Sequence, residues 1–188
     1  MTLRRKGLRK IFAVLSASAL LFGLSVQAVP ANAAGYVIGV SNGWAGNSWR
    51  ETMVCAIKAE ATLSKKVSSV LVASRNTDAA GQSADVRKFI SQKVNAIIIN
   101  PGDKDAINPA LEEAMAAGIK VIAVDGPVSA KGAYIVSNDQ RAYGAAGAEA
   151  LAKAMKYKGN VLYMRGIDGH PADTLRHEGF TSVMKKYK

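Results

Sequence analysis

The chain has 188 residues, 25 Lys and Arg against 14 Asp and Glu, and one cysteine. One cysteine excludes a disulfide framework, and the length allows one full domain with the start of another. Five of the basic residues and none of the acidic ones lie in the first ten positions, so the rest carries 20 against 14, a balance of +6 that does not mark a nucleic-acid binder.

The opening residues, MTLRRKGLRK, are basic with no acid; Ile11 to Val29 is almost wholly apolar or small, and Ala31-Asn32-Ala33 gives the small-x-small pattern of a signal-peptidase site. Residues 1–33 therefore read as a cleavable signal peptide delivering the chain to the periplasm, with an uncleaved anchor as the alternative. Gly23, Ser25 and Gln27 interrupt the run as a spanning helix. Outside the cytoplasm there is little nucleotide, which turns an α/β chain away from nucleotide-dependent enzymes and toward capture of small solutes.

Strands are expected at Tyr36–Ser41, Ser69–Ala73, Ala96–Asn100, Lys120–Val124, Ala133–Ser137 and Asn160–Arg165. Runs such as Ala-Ile-Ile-Ile (96–99) are apolar at consecutive positions, so both faces must be covered. That pattern predicts an α/β fold with a doubly wound parallel sheet between helix layers. Ser48-x-x-Glu51 predicts a capping box for the first helix, and Asp78, Asp105 and Asp139 are expected to cap the next three. In the third helix Ile107, Ala110, Leu111, Ala114 and Met115 form the apolar stripe, closed by Gly118. In the fourth the expected stripe is Tyr143, Ala146, Gly147, Ala150 and Leu151. Cys55, among Met53, Ala56 and Ile57, reads as a buried thiol.

Ligands of such sheets gather at the carboxyl ends of the strands. Those ends carry Asn42-Gly43-Trp44, Asn100-Pro101-Gly102-Asp103, Asp125-Gly126 and Asp168-Gly169-His170, with Trp49 close behind the first. Amides and carboxylates pair with hydroxyls, and an indole face covers the C–H side of a sugar ring. Asn76, Asp103 and Asp139 serve equally well as plain turn residues. Arg176 offers a fork of donors beside Asp168.

Gly39-Val40-Ser41-Asn42-Gly43 matches the G-x-S-x-G elbow of serine hydrolases, which makes an exported esterase using Ser41 the enzyme alternative. The elbow needs a helix directly after its Ser, whereas here the helix starts near residue 48. Asp173 and His177 stand at i, i+4, better explained as a cap and a surface residue than as a metal site. No dinucleotide or P-loop glycine pattern occurs, so no cofactor is expected.

The segments IGVSNGWAGNSWR, IIINPGD, VIAVDGP, VSND and GIDGHPADTLRHEGF, in this order and from Tyr36 onward, resemble the sugar-type periplasmic binding proteins, the ribose-binding-like receptors of ABC importers. The resemblance implies two lobes of the type I receptor fold closing on a sugar or polyol: a first lobe at 35–138 and the start of a second at 139–188, most of whose sheet is not in this sequence. It implies a monomeric binding protein rather than an enzyme, with a membrane permease as partner and no nucleic acid. The ligand-binding residues it implies are Asn42 and the aromatic wall of Trp44 and Trp49, the carboxylate Asp125, and Arg176 in the R-x-x-G-F pattern with Gly179 and Phe180. Two departures stand out: the Trp pair is more widely spaced than the family's paired aromatics, and Gly126 replaces an Arg. A third reading, a repressor's effector domain, requires an N-terminal helix-turn-helix that a basic leader followed by an apolar run cannot form. With so little of the second lobe to pack on, Arg176 is expected to be poorly held.

Overall fold

The computed structural model describes residues 35–187; the predicted signal peptide at 1–33 lies outside the described residues. In chain order the elements are β1 (Tyr36–Asn42), α1 (Ser48–Ser64), β2 (Val67–Ser74), α2 (Ala79–Ser91), β3 (Ala96–Asn100), α3 (Asn108–Ala116), β4 (Lys120–Val124), β5 (Tyr134–Val136), α4 (Gln140–Ala154) and α5 (Pro171–Met184). The strands form one parallel sheet in the order β2-β1-β3-β4-β5. The chain winds outward from β1 in one direction and then back past it, so the switch point falls between the carboxyl ends of β1 and β3, at the paired residues Asn42 and Asn100.

The two faces of the sheet are not equally covered. Ile97 and Ile99 of β3 and Val121 and Ala123 of β4 are buried with Val86 and Phe89 of α2 and Leu111 and Ala114 of α3. Each large side chain in this cluster contributes about 1.5–3 kcal/mol from burial. The alternate residues Ile98, Ile122 and Val124 are only half-buried on the opposite face, where α1 runs beside β2. At the edge, Tyr134, Ile135 and Val136 of β5 are exposed. The stripe predicted for α3 is the one that packs, and Gly118 closes the helix at φ +83°, a conformation open to glycine at little cost.

The sixth predicted strand, Asn160–Arg165, is not a strand. Among the described residues nothing pairs with its amides, and Leu162 and Met164 are 99% and 88% exposed. β-propensity does not make a strand without a neighbour. The capping box also moves by one residue. Asn47, extended at φ −117° and ψ 147°, caps α1 by accepting from the Arg50 amide at 3.0 Å, while Glu51 accepts from Gly46. Asp78 and Asp139 cap as expected. Asp105 does not: its carboxylate takes the Ser129 hydroxyl, and α3 opens on Asn108-Pro109, where the proline has no amide to satisfy.

Two burial expectations are corrected. Cys55 is exposed, because α1 packs through Arg50, Val54 and Ala61, a stripe that leaves position 55 on its outer side. On α4 the predicted stripe of Tyr143, Ala146, Gly147, Ala150 and Leu151 is exposed; Ala148 and Ala152 are buried instead, with Gly144 and Ala145 half-buried. The reason is the α4–α5 contact. A Cβ at Gly144 would stand 2.0 Å from the Arg176 carbonyl oxygen, and one at Gly179 would stand 2.0 Å from that of Arg141. The two helices touch backbone to backbone through glycine, so the smaller side chains, not the more apolar ones, mark the face.

Candidate functional site

A cleft of about 620 Å³ opens above the carboxyl ends of the strands, between the start of α1, the end of β4 and the α4–α5 pair. Its size is in the ordinary range of small-molecule sites. Trp49 and Arg50 line it from α1, Asp125 from the end of β4, Tyr143 from α4, and His170 and Arg176 from the start of α5.

Asp125 and Arg176, expected from the sequence, come together here through a residue the sequence did not single out. Gln140, 2% exposed at the first turn of α4, donates from Nε2 to Asp125 Oδ1 at 2.9 Å and accepts from Arg176 Nε at 2.7 Å. Its amide thus spaces the carboxylate from the guanidinium, leaving Arg176 Nη2 3.8 Å from Asp125 Oδ1. Neither ion spends all its hydrogen-bonding capacity on the other. Arg176 also lies over the Tyr143 ring at 5.1 Å, a second contact beside the one to Gln140. Asp125 is at φ +64°, a left-handed conformation tolerated by Asp more readily than by most residues. The Ser137 hydroxyl, donating to the Asp125 carbonyl at 2.6 Å, and the Asp125 amide, donating to Val136, keep it there.

Arg50 is the principal residue missed. It is 4% exposed, and its Nη1 donates to Asn42 Oδ1 at 2.6 Å. Burial lowers its pKa, an effect opposed by the Asp125 carboxylate, yet an arginine remains a cation throughout. Asn42 is itself 1% exposed, donating to the Trp44 carbonyl and the Ser74 hydroxyl, and does not line the cleft. It lies beneath Arg50 and orients it. Trp44 also stands apart from the cleft lining, its indole nitrogen beside Gly102 at the end of β3 and without a hydrogen-bond partner among the described residues. Trp49, 55% exposed, is the indole at the cleft. The signal that could have found Arg50 was its place beside Trp49 in the first turn of a helix that follows β1.

Asp173 accepts from the Gly166 amide at 2.9 Å and pairs with Arg165. Burial alone would raise its carboxyl pKa, but the Gly166 amide and Arg165 outweigh that and hold it below the usual value. It is thus committed to the 165–166 turn, while His177 stacks on Tyr163 at 5.7 Å. Among the described residues no three His, Cys, Asp or Glu side chains cluster as metal ligands. Ser41, the serine of the elbow motif, is fully buried within β1 and accepts from Gln82 Nε2 at 3.3 Å. It is packed inside a strand rather than presented on a turn. A Cβ at Gly126 would meet Pro101, His170 and Pro171 at ordinary contact distance.

Known proteins share the sequence and the fold of this chain. The ribose import binding protein of Bacillus subtilis is 29% identical over 149 residues, 79% of this chain and 48% of that protein. The xylitol-binding protein of Mycolicibacterium smegmatis is 31% identical over 115 residues, 61% of this chain and 33% of that one. Among solved structures, a solute binding protein of an ABC transporter from Bacillus halodurans with bound myo-inositol superposes with a TM-score of 0.74 at 28% identity, over 82% of this chain and 54% of that one. The chain therefore spans between a third and about half of the length of these relatives. The periplasmic binding protein domain family matches residues 38–188, and the chain belongs to that family.

Proposed function

We propose that this member of the periplasmic binding protein domain family captures a monosaccharide or polyol in the cleft and delivers it to the permease of an ABC importer. The observation that carries the reading is the Asp125–Gln140–Arg176 arrangement beside Arg50 and Trp49. A carboxylate accepts from hydroxyls, two guanidinium groups donate to them, and an exposed indole offers an apolar face to the ring. In this reading Trp49, Arg50, Asp125 and Arg176 touch the ligand, and Asn42 acts through Arg50. Trp44 shapes the loop after β1 and makes no ligand contact. The first lobe is residues 35–138, and residues 139–188 begin the second. The relatives that import ribose, bind xylitol or hold myo-inositol support the substrate class without choosing within it.

Isothermal titration of the complete gene product against D-ribose, xylitol, myo-inositol and a wider set of pentoses, hexoses and polyols tests this. Saturable heat is expected for at least one compound. Asp125→Ala and Arg176→Ala should each weaken it tenfold or more, since hydrogen bonds to charged groups are worth about 1.5–3 kcal/mol. Silence across the whole set would overturn the proposal. Residues 1–33 act as its export signal in this reading, and mass spectrometry of the secreted protein should find the new N-terminus directly after Ala33.

A further inference from the structure

His170 is where three parts of the molecule meet. It is the N-cap of α5 and is 5% exposed. Its Nε2 lies 3.1 Å from Nη2 of Arg50 in α1 and 3.4 Å from Oδ1 of Asn100 at the end of β3. Its Nδ1 stands 3.2 Å from the Ala172 amide, placed to accept from it. A neutral imidazole has one lone pair and one N–H. Here two N–H groups, those of Arg50 and Ala172, are aimed at opposite nitrogens of one ring. With the lone pair on Nε2 the ring accepts from Arg50 and loses the helix cap. With it on Nδ1 the cap stands, and the ring N–H turns to Asn100. A second ring proton removes the lone pair altogether and places an imidazolium 3.1 Å from a buried guanidinium that no carboxylate among the described residues pairs with directly.

We propose that His170 is a proton-sensitive positioning residue: neutral with its lone pair on Nε2, it accepts from the Arg50 guanidinium and holds it in the cleft, and protonated, it releases Arg50, so that ligand affinity falls in acid. This rests on the cleft being the sugar or polyol site. The charged and polar groups facing the ring are Arg50 from α1, Asn100 from β3, Asp125 from the end of β4, and Asp173 and Arg176 from α5. Burial lowers the pKa of His170, as does the Arg50 charge; Asp125 opposes both, Arg176 adds to the lowering, and Asp173 opposes it. A histidine lowered on folding favours the neutral ring in the native state. Its contribution is complete above the unfolded value of about 6.5 and is lost as pH falls through the lower native value.

The experiment has two arms on the complete gene product. In the first, the affinity for whichever compound of the sugar and polyol set binds at pH 7.5 is followed down to pH 4.5, because burial and the Arg50 charge put the His170 midpoint below the ordinary imidazole value, and His170→Gln controls for carboxylate protonation at the acid end. Affinity should decline with a slope approaching about tenfold per pH unit below the midpoint, as for any binding that needs a deprotonated group. His170→Gln should bind more weakly at pH 7.5 but with a flat profile, while His177→Gln keeps the slope. A flat wild-type profile, or a slope that survives in His170→Gln, overturns the proposal. In the second arm, magnetic resonance of the two imidazoles, which needs no ligand, follows the His170 midpoint. Arg50→Met should move it up toward the ordinary value, and an unmoved midpoint overturns the contact. If no compound of the whole set binds, the substrate reading is what has failed, and the second arm still decides the role of His170. If Arg50→Met does not fold, the His170→Gln profile decides.

Discussion

The sheet of residues 36–136 and the α4–α5 pair are held together by different means. The sheet is held by large apolar side chains, Ile97, Ile99, Val121 and Leu111 among them, all at or below 1% exposure. The helix pair buries mainly small or polar groups, Ala148, Ala152, Gly179, Asp173 and Gln140, with Val183 as its one larger apolar anchor. Close backbone approach through Gly144 and Gly179 takes the place of apolar volume. The cleft lies between a stiff half and a half whose fit depends on two hydrogen atoms in place of two methyl groups.

The largest effect belongs to the sheet. Leu111→Ala should cost about 2–5 kcal/mol in urea unfolding, and a loss no greater than that of an α5 variant would erase the distinction between the halves. Next comes the glycine contact. Gly179→Ala must push α4 from α5 and should cost about 1–3 kcal/mol, the usual range for overpacking. It should also weaken sugar binding by displacing Arg176 from Gln140, although residue 179 does not line the cleft. Wild-type affinity in Gly179→Ala would show that the helix spacing does not set the position of Arg176.

Hydrogen exchange sharpens the same contrast. The amides of Ile97–Ile99 should be the slowest, those of α5 intermediate, and residues 160–166, which have no sheet partner, the fastest. Equal protection of residues 160–166 and β3 would overturn the ranking. A smaller effect concerns Asp173, whose lowered carboxyl pKa contributes stability that is present above the unfolded value and lost as pH falls through the native one. Asp173→Asn should therefore be less stable than wild type at pH 7, and the gap should close in acid. A gap independent of pH would point to packing instead of charge. Smallest of all, native Cys55 should react with iodoacetamide without denaturant and with no change in stability. Protection from the reagent would restore the buried thiol that its neighbours in the sequence suggest.

Five strands and the helices between them were legible because consecutive apolar runs, Asp caps and Gly118 act locally, within a few residues of chain. The pairing of Asp125 with Arg176, 51 positions apart, was legible only through the resemblance of the flanking segments. Gln140 was invisible because a glutamine in a first helical turn has no pattern to mark it; its role comes from what stands on either side in space. Arg50 was read past because arginines at helix starts are usually solvated, and only the fold puts Asn42 beneath it and His170 beside it.

What the sequence determined by itself is the alternation of strand and helix, the parallel character of the sheet, the family, and the loops that carry the chemistry. These follow from periodicity, caps and motif order, which need no distant partner. The tertiary structure decided which face of each element is buried, as at Cys55 and along α4. It decided that Trp49 and not Trp44 faces the cleft, and that His170 lies against Arg50. Each of these depends on an atom from another part of the chain, and no local pattern encodes the distance to it.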